Sequence, residues 1–346
     1  MHEYLYREDL VRVAVILGVI VSTLIYERIQ LTTGGAIVPG YLALFVLAPL
    51  SIVVTLATAY VTYRIVNGPI ARRYIIYGRR KFELEVIIGL AIVAALYAVA
   101  QLQLGFQPLV TAVYGIGFVI PGLIAHDMFR QGPVRTVGVL VGALSVVAVM
   151  IFVLVSLSEI GPAAPPPSIP ANPVVRSFSD ELLLPAVIVS VLAGMVLFHR
   201  LGLRSGGFVT AAYLAAVALD PRDLVFTAAV AGATYLIVAR VMGARLMLFG
   251  RRKVAMMMLV ATSLAWATES VVIFASGGQY HPWQGFSAIA LMIPGLLAND
   301  AERQGPERTL WGATLATLTV LVAMNLLTTA LHLFPPAATA LVKNYP

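Results

Sequence analysis

Cysteine is absent from this chain, which excludes a disulfide framework, a thiolate metal site and a cysteine nucleophile. Charged side chains are also scarce, at 11% of the residues, and unbalanced, with 23 Lys and Arg against 16 Asp and Glu. The patterns GxxxxGKS/T, GxSxG and HExxH do not occur, so the sequence carries no ATP-binding or hydrolytic signature of its own. Because His126 and His281 stand alone in the sequence, we expect no metal site.

Apolar residues make up most of the remainder. They account for 60% of the 346 residues, and the mean hydropathy is +0.92. A soluble domain of this size could not bury so much apolar surface, whereas lipid is itself an apolar solvent. Apolar runs of about 17–25 residues, the length of a bilayer-crossing helix, recur along the chain. The sequence therefore predicts an all-α, multi-pass membrane protein, which leaves little surface for nucleic acid.

Three stretches of the sequence occur twice, with the second copy 172 or 173 residues after the first. They are "IPGLIAHDMFRQGP" at 120–133 with "IPGLLANDAERQGP" at 293–306, "YGRRKF" at 77–82 with "FGRRKV" at 249–254, and "TTGGAIVPGYLAL" at 32–44 with "RSGGFVTAAYLAA" at 204–216. A constant offset through several blocks indicates an internal duplication. We predict a first membrane repeat over 1–156, a proline-rich linker over 157–179 and a second membrane repeat over 180–346.

Each repeat combines uninterrupted and interrupted apolar segments. Uninterrupted helices are predicted near 11–27, 50–66, 84–101, 134–156, 183–199, 224–241, 254–276 and 308–334. The interrupted segments are 36–48, 109–125, 207–219 and 286–298. The positive-inside rule puts the basic loops and the N-terminus in the cytoplasm, with the first helix running outward and uncleaved. Four spans per repeat would make the repeats parallel and five would make them inverted, and the sequence leaves both open.

Pro-Gly pairs interrupt three of these segments. They are Pro39-Gly40, Pro121-Gly122 and Pro294-Gly295. Proline removes a backbone donor and glycine tolerates unusual dihedral angles, so each pair is predicted to break a helix within the membrane. The N-terminus of such a half-helix offers N–H groups and a positive dipole end that suit a carboxylate. The alternative is a simple kink. In the second repeat Ala211-Ala212 replaces the first pair, so we expect that break to be lost.

Polar residues follow the second interruption in both repeats. They are Asp127, Arg130 and Gln131 in the first repeat and Asn299, Asp300, Arg303 and Gln304 in the second. The Asp, Arg and Gln are spaced i, i+3, i+4 and therefore share one helical face. Because a charge within the bilayer is costly, the functional interpretation is a paired Asp and Arg along a polar path for an anionic substrate. The alternative is a capped helix end at the membrane surface, with Gly-Pro opening the next helix.

A basic triplet precedes one long helix of each repeat. The triplets are Arg79, Arg80 and Lys81, and Arg251, Arg252 and Lys253. They serve either as a topology signal alone or as a docking patch for an anionic polymer, an acidic partner or phosphate.

These blocks resemble a known family. "YERIQLTTGGAIVPGYLAL", "YGRRKF" and "GFVIPGLIAHDMFRQG" are similar in order and spacing to the small membrane subunit of poly-γ-glutamate synthase, the PgsC/CapC family. Members of that family are usually about one half of this chain, so the chain resembles a tandem fusion of two such subunits. The family motif has Asn after "PGLIA", which the second repeat keeps as Asn299 while the first has His126.

The resemblance implies a non-catalytic membrane subunit that helps to make or export an anionic, γ-linked glutamate polymer at the plasma membrane. Its implied partners are a Mur-ligase-like amide ligase, which would hold ATP and a divalent metal, and a second, anchored subunit. Fusion of two subunits also raises the prospect of a homo-oligomer. Two alternatives stay open from the residues alone: an independent secondary transporter for small carboxylates, and a membrane scaffold for a cytoplasmic ATP-grasp ligase.

Overall fold

The computed structural model describes residues 8–102, 117–159, 176–245, 250–283, 286 and 289–333, and within these ranges the fold is built from helices alone. The described helices are α1 (Glu8–Ile29), α2 (Val38–Ala43), α3 (Pro49–Ile65), α4 (Arg79–Leu102), α5 (Ile120–Gln131), α6 (Pro133–Glu159), α7 (Leu183–Leu201), α8 (Thr210–Ala216), α9 (Pro221–Tyr235), α10 (Gly250–Ala275), α11 (Ile289–Gln304) and α12 (Pro306–Leu333). Short π-helical extensions, Val66–Ile70 and Leu236–Met242, continue α3 and α9.

Eight of the described helices are long and apolar enough to cross a membrane. They correspond to the eight uninterrupted helices that the sequence predicts, so the prediction of an all-α membrane protein is confirmed. The largest shift at a boundary concerns the basic triplets. α4 begins at Arg79 and α10 at Gly250, so both triplets lie in the first turn of a helix and not in a loop.

The second repeat follows the first element by element, with α7–α12 corresponding to α1–α6. The predicted linker lies mostly outside the described residues, as does the start of the interrupted segment 109–125. The repeats pack against each other through matching contacts, α1 on α10 and α4 on α7. In the numbering of the duplication these are the same contact made twice, so the interface has approximate two-fold symmetry.

The ends of the helices define the direction of the chain. In the last turn of α1, Glu27 pairs with Arg252 at the start of α10, 3.0 Å away. At the same end Lys81 in the first turn of α4 donates to Asn67, just beyond α3, at 2.5 Å. We call this end, which carries both basic triplets, the basic end. The positive-inside rule assigns the basic end to the cytoplasm, so α1 would run inward, opposite to the outward direction predicted from the sequence.

The reason for that reversal is the broken segment between α1 and α3. Because α3 finishes at the basic end, it must begin, at Pro49, at the opposite end. Residues 30–48, with the short helix α2, therefore carry the chain back across the protein. The same logic brings each repeat back to the end where it began, so the two repeats run parallel.

Two of the three Pro-Gly pairs lie at the start of a helix, as predicted for a half-helix, and the third does not. Pro39 and Pro121 occupy the second position of α2 and α5, where proline is tolerated because that N–H has no intrahelical partner. Pro294 lies inside the continuous helix α11, so the prediction of a break at Pro294-Gly295 is wrong. Helix α8 begins at Thr210 although it lacks Pro-Gly, so the break expected to be lost is present.

Paired glycines explain why that break survives. Gly34 and Gly35 have φ angles of 79° and 125°, and Gly206 and Gly207 have 84° and 109°. Residues other than glycine rarely adopt φ angles in this range. The Gly-Gly bend, which both repeats keep, therefore turns the chain into α2 and α8, whichever residues open the helix.

Candidate functional site

A glutamine in each repeat holds the chain that leads into the Gly-Gly bend. The side chain of Gln131 accepts from the N–H of Thr32 at 2.8 Å and donates to its carbonyl at 2.6 Å. Gln304 makes the same pair of bonds with Arg204, at 2.8 and 2.9 Å. Each glutamine thus satisfies backbone groups that no helix provides for.

The aspartate of the same motif holds the bend itself. Asp127 accepts from the N–H of Gly34 at 3.0 Å, and Asp300 accepts from the N–H of Gly206 at 3.1 Å. Both carboxylates are buried. Neither pairs with the arginine of its own motif, because the remaining oxygen of Asp127 lies 3.1 Å from Arg251 and that of Asp300 lies 3.7 Å from Arg204.

The predicted Asp–Arg pair within each motif is therefore wrong. The aspartate and glutamine point into their own repeat, where they fix the loop before α2 or α8. The arginines, Arg130 and Arg303, lie on the exposed side of α5 and α11. Of the Asp, Arg and Gln in each motif, only the arginine has an exposed charge that a ligand could contact in both repeats.

The basic triplets lie where a helix dipole disfavours them. The first turn of a helix carries partial positive charge, so cations there need negative partners. In the second repeat all three cations have one. Arg251 pairs with Asp127 at 3.1 Å, Arg252 with Glu27 at 3.0 Å, and Lys253 with Glu302.

The triplet of the first repeat is held differently. Arg79 pairs with Glu83, one turn along its own helix, at 2.7 Å, and its guanidinium carbon lies 3.4 Å from the ring centre of Phe198. Lys81 donates to an amide oxygen and lies 2.9 Å above the ring centre of Phe129. Aromatic faces attract cations without neutralising them, so Lys81, which has an amide and a ring where Lys253 has a carboxylate, keeps more of its positive potential.

A cavity of about 580 Å³ opens beside this triplet, between the two repeats. Five cationic side chains and one carboxylate line it. They are Arg79, Lys81, Arg130, Arg204, Arg303 and Asp300. Burial lowers the pKa of the Arg204 guanidinium and the charge of Asp300 opposes that shift, which marks a partly desolvated cation. The cavity lies within the volume range of small-ligand sites, about 300–1,000 Å³.

The structure thus brings together some of the predicted site residues and separates others. Arg79, Lys81, Arg130, Asp300 and Arg303 line one cavity. Outside its lining lie the second triplet, Arg80, Asp127, Gln131, Asn299 and Gln304. Sequence reasoning missed Arg204, although the aligned blocks "TTGG" and "RSGG" show an arginine in the place of Thr32.

Two buried carboxylates were also missed. Glu83 and Glu85 are fully buried in the first turns of α4. Glu85 lies 2.7 Å from the Nδ1 atom of His126, which lines the cavity. Their counterparts in the second repeat are Ala255 and Met257. Acidic residues at the start of an apolar helix are a recognised signal of a functional position.

Within the described residues, no group of three His, Asp or Glu side chains is arranged to hold a metal ion. The cavity is dominated by cationic donors, which suit an anion.

Fold and site together define a multi-pass membrane protein made of two fused, parallel repeats with a cationic cavity between them. A family model described as "Capsule biosynthesis CapC" matches residues 17–137 and, again, residues 189–310. The chain therefore belongs to the CapC capsule biosynthesis family and carries its unit twice, which confirms the resemblance and the tandem duplication.

Curated relatives have about the length of one repeat. The chain is 37% identical over 126 residues to "Capsule biosynthesis protein CapC" of Bacillus anthracis. It is 35% identical over 129 residues to "PGA biosynthesis protein CapC" of Bacillus subtilis (strain 168). Each alignment covers 36% of this chain and 83% of the relative. No solved structure gives a significant match.

Proposed function

We propose that this protein is a membrane subunit of a complex that makes and exports an anionic capsule polymer of the poly-γ-glutamate type at the plasma membrane. The observation that carries the proposal is the cationic cavity at the basic end. Five cationic side chains from both repeats converge on it, against one lining carboxylate. Family membership supplies the process, since the relatives are named for capsule and PGA biosynthesis.

The cavity lies at the end where such a polymer would arrive. A cytoplasmic ligase of the Mur type, with its ATP and divalent metal, would release a growing chain at this face, and an anchored accessory subunit would complete the complex. A cleft lined by one sign of charge raises the local concentration of the opposite sign.

The matching broken segments support a second candidate, a secondary transporter for small carboxylates. Helices that begin inside the protein after a bend, as α2 and α8 do, are used by such transporters. Uptake of a small carboxylate into liposomes that contain only this chain, driven by a proton or sodium gradient, would favour this alternative.

The proposal is tested by removing two cavity charges and measuring secreted polymer. Among the described residues, Arg130 and Arg303 make no hydrogen bond or ion pair, so the double change Arg130→Gln and Arg303→Gln should leave the fold intact. We expect secreted polymer to fall severalfold at unchanged membrane abundance. The control is Arg72→Gln with Arg73→Gln, which removes the same charge from the same end outside the cavity. Normal secretion in the cavity variant would contradict the proposal.

A further inference from the structure

We propose that the cavity is a binding site for a flexible polyacid, present once per chain, in which several neighbouring carboxylates of one polyacid bind together. The inference deepens the proposed function and rests on it for the identity of the polyacid. It follows from comparing two positions that the duplication makes equivalent, the start of α4 and the start of α10.

The second repeat shows what these cations bind. Around the start of α10, three cations hold three carboxylates that belong to the protein itself. Two of those carboxylates have no acidic counterpart around α4. Glu27 corresponds to His199, and Glu302 corresponds to Phe129. The first repeat thus has the cations without two of these acids, and its own helix supplies instead Glu83, which pairs with Arg79, and the buried Glu85.

A further cation is added on the same side. Arg204 occupies the position of Thr32, and it lies 3.7 Å from Asp300, the one carboxylate in the cavity lining. At the equivalent place around α10, the aspartate of the first repeat, Asp127, pairs with Arg251. Arg204 therefore competes for the internal partner that Arg79 would have had, and Arg79 turns to Glu83 on its own helix.

The chemistry of the ligand follows from the acids that the equivalent cations bind. Around α10 these carboxylates lie on two different segments, α1 and α11, and the five cations that line the cavity likewise offer separated points for more than one carboxylate. Arginine and lysine at fixed spacing recognise such a ligand by several charge-assisted hydrogen bonds. We favour a polymer over an acidic segment of a partner protein because the cavity has room for a small ligand or chain end.

The experiment adds to the first repeat an acid that only the second triplet has as a partner. The purified full chain in nanodiscs of zwitterionic lipid is titrated with a fluorescently labelled, short γ-linked oligoglutamate. Phe129→Glu places beside Lys81 the carboxylate that Lys253 already has, and Phe129→Gln is the matched uncharged control. We expect about tenfold weaker binding for the Glu variant than for the Gln variant, which is about the effect of one good ion pair.

Each outcome decides the inference. Weaker binding by Phe129→Glu than by Phe129→Gln, with one oligomer bound per wild-type chain, supports it. Equal affinity of these two variants would overturn it, as would two oligomers per chain. Tight binding of an acidic α-linked peptide with no binding of the γ-linked oligomer would assign the cavity to a partner protein and overturn it too. Normal secretion in the Arg130→Gln, Arg303→Gln cells, with binding as expected here, would contradict only the proposed function.

Discussion

The two repeats agree in one region and differ in another, although both regions are repeated in sequence. The aspartate and glutamine of each Pro-Gly helix make the same bonds to the loop before α2 or α8, even where the loop reads Thr-Thr in one repeat and Arg-Ser in the other. The Arg-Arg-Lys triplets are identical in sequence but have different partners. Residue identity therefore predicts a shared role only where the partners are repeated as well.

The far end of the interface shows the same divergence. Arg12 of α1 donates to Glu269 of α10 at 2.6 Å, and the two side chains are only 9% and 10% exposed. The equivalent positions on α7 and α4 are Leu184 and Tyr97, which pack in an apolar cluster. One copy of the interface is thus joined by a buried ion pair and the other by apolar contact.

Making these two interfaces alike should give the largest effect. Arg12→Leu alone leaves Glu269 buried without this partner, and we expect the free energy of unfolding to fall by about 3 kcal/mol or more. Adding Glu269→Tyr, which copies the other interface, should recover most of that loss. Thermal unfolding in detergent measures both variants. A double variant no more stable than the single one would contradict the comparison.

A close backbone contact at Gly40 also distinguishes the two repeats, and breaking it should have the next largest effect. An added Cβ at Gly40 would lie 2.3 Å from the carbonyl oxygen of Ala14, whereas the equivalent position in the second repeat is already Ala212. Gly40→Ala should therefore destabilise the protein by about 1–3 kcal/mol through overpacking. The control is Gly138→Ala on α6, where nothing lies within 4 Å of the added atom. Equal unfolding temperatures for the two variants would show that the close approach in the first repeat is not needed.

The glutamine contacts should respond alike in both repeats. Gln131→Leu and Gln304→Leu each leave a backbone N–H and a carbonyl without their partner, so each should cost about 1–2 kcal/mol. Because the bonds are repeated almost atom for atom, the two losses should agree within about 0.5 kcal/mol and add in the double variant. Unfolding curves of the three variants test this. A loss confined to one repeat would refute the view that this region is equivalent in both.

The sequence was sufficient for the features that repeat a local pattern. Hydropathy located the eight long helices, and the constant offset located the duplication. The pattern could not show that Pro39 opens α2 while Pro294 lies within α11, because both are the same dipeptide in an apolar run. The breaks before α2 and α8 lie at the Gly-Gly bend, whose first N–H group donates to the distant Asp127 or Asp300.

The candidate site was predictable only in its charges. Arg79, Lys81, Arg130 and Arg303 were recognised as cations, but charge alone does not show which of two identical triplets has internal partners. That information lies in contacts between the repeats, such as Arg251 with Asp127 across 124 positions of sequence. The differences at His199 and Phe129 become informative only when the contact that each counterpart makes is known.

The smallest expected effect comes from the most exposed pair of the second triplet. Arg252 and Glu27 are 51% and 41% exposed, so water and salt screen their attraction. Glu27→His, which copies His199, should change the free energy of unfolding by less than about 1 kcal/mol, and the change should shrink as salt is raised. Glu302→Phe, which removes the half-buried pair Lys253–Glu302, should lower the free energy of unfolding more. A larger part of that loss should persist at high salt. Chemical denaturation at low and high ionic strength measures both variants. If loss of the exposed pair cost more free energy, Glu27 would be the main acid that neutralises the second triplet. Lys253 would then be the better candidate for a second carboxylate site.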